Sequence, residues 1–163
     1  MHMSGEQTAI KYLTREQTAR LFSVITDLRD RALFATIYHH GLRVAEATLL
    51  RVKDVDLAHR RILIHRVKHG RGGERPLFKS TTRLLKAYLK VRLPTGSALF
   101  TGRQGNLTRG RIEQLFRGYA HRVGLDAFSV HCLRHSIATH LLEAGCGIEF
   151  VQDHLGHVNI QNT

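Results

Sequence analysis

Apolar residues along most of this chain recur three and four positions apart, the spacing that gathers them on one face of an α-helix. The first such stretch runs from Lys11 to Leu28, with Ala19, Leu21, Phe22, Ile25 and Leu28 in step. Thr14 followed by Gln17 supplies a capping box near its start. Asp30 to His40 predicts a second helix, with Leu33, Phe34, Ile37 and Tyr38 on its apolar face and Gly41 as its stop. Val44 to Leu50 predicts a short third. Asp54-Val55-Asp56 reads as a turn. The period then changes. Ile62 to Val67 is a β-branched run with strand character, His69 to Gly73 is a glycine-rich turn, and Arg75 to Phe78 returns as a partner strand. Pro76 restricts that partner to a sheet edge. Helical spacing resumes after Ser80, which caps a helix to about Arg92 with Leu84, Leu85 and Leu89 inward. Ala98-Leu99-Phe100 predicts a short strand or connector. Thr108 caps a helix through about Arg122, with Ile112, Leu115, Phe116 and Tyr119 aligned and Gly124 ending it. Ser129 caps another from about Val130 to Ala144, and a last helix spans Gly147 to Leu155 between Gly145 and Gly156. The pattern predicts a mainly α fold with a small antiparallel β-hairpin or sheet on one side, of the α+β class.

At 163 residues, 42% hydrophobic and 23% charged, the chain is sized for one domain with a core of its own. No apolar run approaches the roughly 20 residues of a membrane span. The start, Met1-His2-Met3-Ser4-Gly5, has no hydrophobic signal core and resembles a cloning remnant, so residues 1–10 are expected to be a disordered lead. Cys132 and Cys146 form no CxxC pair, and a reducing, cytoplasmic setting is expected. Charge changes the picture most. Lys and Arg number 25 against 13 Asp and Glu, a net charge of +12, which favours a polyanionic partner.

The candidate chemistry lies in four places. Arg43 follows the Gly41 stop, and Glu46 is three residues on, within reach to brace it. Lys68 enters a turn with three glycines, where a lysine can reach a phosphate or a leaving oxygen. Arg66 and Arg71 flank it. His131 and Arg134 share a helix face at i and i+3, pairing a group that moves protons near neutrality with one that binds phosphate bidentately. His157 follows the last helix stop in Leu155-Gly156-His157. His131 and His135 have HxxxH spacing, but no Glu follows His131 and no third ligand is evident, so no metal is expected. His135 and His140 read as packing or capping residues. The tyrosines Tyr12, Tyr38, Tyr88 and Tyr119 lie in predicted helices or their approaches and read as packing residues.

Taken together, Gly41-Leu42-Arg43-Val44-Ala45-Glu46, the Lys68 hairpin ending Glu74-Arg75-Pro76-Leu77, and His131-Cys132-Leu133-Arg134-His135 through Leu142 resemble the catalytic domain of tyrosine recombinases, the phage-integrase and Xer-like family. Val151-Gln152-Asp153-His154-Leu155-Gly156-His157 and Ile160 to Thr163 extend the likeness, which covers residues 11–163. The resemblance implies a DNA breaking-and-rejoining fold acting on double-stranded DNA without a cofactor. Arg43 and Arg134 would clamp the scissile phosphate, supported by Glu46. Lys68 would protonate the leaving 5′ oxygen, His131 would assist the nucleophile, and His157 would hydrogen-bond the phosphate. Arg66, Arg71, Arg75 and Arg109 are candidate DNA contacts. A tyrosine would attack to leave a 3′-phosphotyrosyl link. In the family that tyrosine follows Leu-Gly-His by roughly nine residues, and an N-terminal core-binding domain precedes the catalytic one. Neither lies within these 163 residues. The chain is therefore expected to be a cleavage-deficient monomer, and its full-length parent a homotetramer on paired sites. Two alternatives stay open: a non-catalytic, regulatory DNA-binding relative, and a metal-dependent nuclease, for which Asp54 and Asp56 are the sole close Asp pair.

Overall fold

The computed structural model describes residues 11–68 and 70–156. Its centre is α2 (Leu28–His40), which buries Ala32, Leu33, Phe34, Ala35, Thr36 and Ile37 almost all round. A helix with so little polar face must be covered on several sides. It packs chiefly against α4 (Lys79–Val91) and α6 (Cys132–Glu143). α3 (Val44–Leu49) packs on α5 (Arg109–Arg122). Phe34 meets Phe116 of α5 edge-on, with ring centroids 5.8 Å apart. α1 (Arg15–Ser23) precedes this core, and α7 (Ile148–His154) closes on α6 through Ile137, Val151 and Leu155.

The small sheet is antiparallel in the order β1 (Val55–Asp56), β2 (Arg61–Ile64), β3 (Gly73–Pro76). Ile62 faces Arg75 and Ile64 faces Gly73. Pro76 lies on the edge strand β3, where its missing N–H costs no ladder bond. A second ladder, β4 (Thr101–Gly102) with β5 (Gly105–Asn106), joins α4 to α5.

The mainly α fold with a small antiparallel sheet is as expected, and several boundaries differ. The stretch from Lys11 to Leu28 is not one helix. α1 stops at Ser23, and the Arg31 guanidinium donates to the carbonyls of Phe22 and Ile25, taking the acceptors a longer helix would have used. Asp27 then caps α2 by accepting from the Asp30 amide at 3.0 Å. Asp54-Val55-Asp56 is more than a turn, because a 3₁₀ turn at Val52–Asp54 leads into β1. β2 ends at Ile64, three residues early, since the Val67 amide bonds the Glu46 carboxylate rather than a strand. Phe78, not Ser80, precedes α4, and Ala98 to Phe100 is a connector bridged to Arg51 through Ala98. α6 begins at Cys132, with Ser129 contributing its carbonyl rather than a side-chain cap. Among the described residues, no helix is long and apolar enough to cross a membrane.

Candidate functional site

Glu46 is the centre of the site. It lies in the first turn of α3 and is fully buried. One carboxylate oxygen accepts from the Arg43 amide at 2.8 Å and from Arg66 Nη1 at 3.0 Å, and the other accepts from the Val67 amide at 3.1 Å. The Arg43 guanidinium stands 3.6 Å away and that of Arg134 stands 4.0 Å away. Three guanidiniums thus converge on one carboxylate. A buried charge cluster survives only when it is paired and hydrogen-bonded, and here one negative charge faces three positive ones. Arg134 carries the strain of this imbalance. Burial first, then the neighbouring Arg43 and Arg66, push its pKa down to about 10, which leaves it charged at neutral pH. Its Nη1 donates to the carbonyls of Gly41 and Leu155, while its buried Nη2 has no hydrogen-bond partner among the described residues. An unpaired buried donor on a cation is what an incoming anion would satisfy.

The end of α7 is held by two of these arginines, Arg66 and Arg134, together with Arg71 and Arg75. A helix leaves its last carbonyls without partners. Here the carbonyl of Asp153 accepts from Arg75 at 3.0 Å, that of His154 from Arg66 at 2.8 Å, that of Leu155 from Arg134 at 3.1 Å, and that of Gly156 from the Arg71 amide at 2.6 Å. Cations also complement the negative end of the helix dipole. Two glycines permit the approach. Gly41 ends α2 in the left-handed region, φ 60°, and a Cβ there would collide with the Leu155 side chain. Gly156, φ 77°, passes so close to Arg66 that a Cβ would lie 2.7 Å from Nε.

Of the residues singled out in the sequence, Arg43, Glu46 and Arg134 meet directly. Lys68 is exposed, has φ 51°, and follows the residue whose amide Glu46 holds, so its backbone leaves the site from that anchor. His131 is exposed at the start of α6, one turn before Arg134. His157 lies outside the described residues, although the preceding Gly156 is fixed. The candidate DNA contacts divide. Arg71 and Arg109 are exposed. Arg75 is committed to Asp153 at 2.8 Å, and the Arg66 side chain is 1% exposed, which makes it an internal brace with no surface to offer DNA. The strand period carried this signal: Ile62 and Ile64 point inward, and Arg66 continues the same alternation.

His40 went unmarked in the sequence. It is fully buried with neither ring nitrogen hydrogen-bonded among the described residues, beside His39, Phe78 and His154. Burial, then His154, lowers the pKa of His40 to about 3 and of His39 to about 4, so both are neutral at pH 7. His154 Nε2 donates to the His39 carbonyl at 2.6 Å, another tie between α7 and α2. His140 has the packing role expected of it: Nε2 donates to the Leu13 carbonyl and Nδ1 accepts the Tyr38 hydroxyl. Tyr88 and Tyr119 are likewise engaged, with Leu99 and Asp30, whereas Tyr12 is exposed rather than packed. Among the described residues, no group of three or more His, Cys, Asp or Glu is arranged to hold a metal ion.

This is a mainly α domain with an arginine-rich cluster of excess positive charge where α2, α3, α6 and α7 meet. The model of the phage integrase family matches residues 11–163, and the chain belongs to that family. Tyrosine recombinase XerA of Pyrococcus horikoshii is 33% identical over 157 residues, covering 94% of this chain and 55% of its own length. A crystal structure of XerA recombinase superposes with a TM-score of 0.85 at 28% identity, covering 93% of this chain and 58% of that one. The XerH site-specific recombinase, solved bound to its difH substrate in a pre-cleavage complex, gives a TM-score of 0.76 at 27% identity, covering 93% of this chain and 48% of that one. The chain spans about half the length of the curated relatives it matches.

Proposed function

We propose that this chain is the phosphate-clamping part of a site-specific tyrosine recombinase or integrase that acts on double-stranded DNA. The observation that carries the reading is the surplus of buried positive charge at Glu46, with the Arg134 Nη2 donor left open. Arg43 and Arg134 would hold the non-bridging oxygens of a DNA phosphate and stabilise the charge that grows on them in the transition state. His131, one turn from Arg134, would relay the proton of an attacking hydroxyl. Lys68 would donate to the leaving 5′ oxygen, and His157 would add a hydrogen bond to the phosphate. Arg71 and Arg109 would contact the DNA backbone. The net charge of +12 and the XerH likeness support DNA as the polyanion. No metal or organic cofactor enters this mechanism, since the guanidiniums supply the positive charge.

The nucleophile is not in the clamp. Tyr38, Tyr88 and Tyr119 have their hydroxyls bonded elsewhere, and Tyr12 sits beside Leu13, whose amide is held by Ser136 at 2.8 Å. On this reading the chain by itself binds DNA without cutting it and is a monomer, while the full-length recombinase would work as a homotetramer on paired sites. Fluorescence anisotropy of labelled duplex against salt tests the binding. A plot of log affinity against log salt falls steeply if phosphates are neutralised, and a flat line overturns the reading. Relaxation of supercoiled DNA by the pure protein would overturn the absence of a nucleophile.

A further inference from the structure

We propose that Arg66 is a positioning residue: it fastens the end of α7 and the β2–β3 loop to Glu46 as one rigid unit, and so sets the placement of Arg134 without touching DNA. The inference rests on the clamp reading above. Its basis is the full engagement of the two terminal nitrogens of Arg66, its buried Nε having no hydrogen-bond partner among the described residues. Nη1 donates to Glu46 at 3.0 Å and to the Gly41 carbonyl at 3.4 Å, and Nη2 donates to the carbonyls of His40 at 3.2 Å and His154 at 2.8 Å. The four hydrogens of the two terminal nitrogens are thereby directed to α3, the end of α2, and α7. The side chain is 1% exposed, so no DNA phosphate reaches it.

Arg66 and Arg134 share acceptors. Both donate to the Gly41 carbonyl, and both lie against the same Glu46 oxygen. They also hold consecutive carbonyls of the α7 end, those of His154 and Leu155. A shift of Arg66 therefore moves the groups that orient Arg134. The loop is bound into the same unit from both sides. Val67, next to Arg66, bonds Glu46, and Arg71 further along the loop bonds the Gly156 carbonyl. The segment carrying Lys68 is thus pinned before and after, and both pins depend on the elements Arg66 joins. A lysine keeps the charge, but its compact ammonium cannot span acceptors on separate elements as the planar guanidinium does.

Arg66→Lys and Arg66→Met distinguish this from a charge effect. In both variants the amides of Arg71 and Leu155 should exchange with deuterium at least tenfold faster than in the wild type. The ¹⁵N side-chain resonances of Arg134 should shift while those of Arg92 stay. The proposal is overturned if Arg66→Lys matches the wild type in exchange and Arg134 resonances, since charge alone would then suffice. It is equally overturned if the Arg134 resonances of Arg66→Met match those of the wild type, since Arg134 would then be placed without Arg66. Should neither variant fold, native-state exchange of the wild type decides. The Arg71 and Leu155 amides must open with one denaturant dependence, and separate openings refute the rigid unit. A wild type that binds no duplex would defeat the clamp reading and leave the exchange result standing.

Discussion

Two buried carboxylates organise opposite ends of α2, and they are built differently. Asp30, 3% exposed in the first turn, accepts from Arg29 Nε at 2.9 Å and from the Tyr119 hydroxyl at 2.6 Å. One anion meets one cation and one neutral donor, so the group is electrically closed, and burial together with Asp30 raises the Tyr119 pKa. Glu46 also closes its own oxygens, but with three guanidiniums around it. Asp30 fastens α5 to α2 and needs nothing further. The Glu46 cluster retains excess positive charge and an open donor. The contrast separates a balanced ion pair from a cluster of the same residue types that its own protein leaves unbalanced.

The largest expected effect comes from removing the organising carboxylate. Glu46→Ala leaves three arginines without their anion and should cost about 3–5 kcal/mol in chemical denaturation. A loss below about 1 kcal/mol would show that solvent, not Glu46, neutralises the cluster. Acid separates the two sides next, because the neutral imidazoles lie beside the Glu46 cations. The folded-state pKa of His40 is below its unfolded value of about 6.5, so the unfolded chain takes up the proton first. Stability should be complete above pH 6.5 and fall as pH drops from there toward 3, by about 1.4 kcal/mol per pH unit for His40. His39 adds in the same direction down to about pH 4. His40→Phe should flatten the acid limb of a stability–pH curve, and an unchanged limb would assign it to other groups.

On the closed side, Tyr119→Phe removes one hydrogen bond to a charged acceptor and should cost about 1.5–3 kcal/mol. It should leave the salt slope of DNA binding untouched, and a changed slope would undo the division between the two carboxylates. The smallest stability effect is expected for Arg43→Ala. Its side chain is 29% exposed and stands 3.6 Å from Glu46, so the loss should stay under about 1 kcal/mol. The salt slope should nevertheless fall by about one. Anisotropy that keeps the wild-type slope would remove Arg43 from the clamp.

Much of this was legible along the chain. The helical periods located six of the seven α-helices among the described residues within a few residues, and Thr14 and Thr108 act as caps where the sequence places them. Arg43, Glu46 and Arg134 were recognisable from their spacing and come together in the fold. The break between α1 and α2 was hidden, because Ile25 is fully buried in a connector and so continues the apolar rhythm of a helix that has ended. The two-residue strands β1, β4 and β5 are too short to show a period.

The sequence by itself determined the class of fold, the net positive charge of +12 and the residue types that gather at Glu46, because periodicity, composition and local spacing are properties of neighbouring positions. Only the tertiary structure decided which cations stay exposed and which brace. Arg66, Arg71 and Arg75 are alike in the sequence. The fold buries Arg66 against Glu46, ties Arg75 to Asp153 and leaves Arg71 exposed. A guanidinium's role depends on the acceptors within about 3 Å of it, and those come from α2, α3 and α7, up to 88 residues away along the chain.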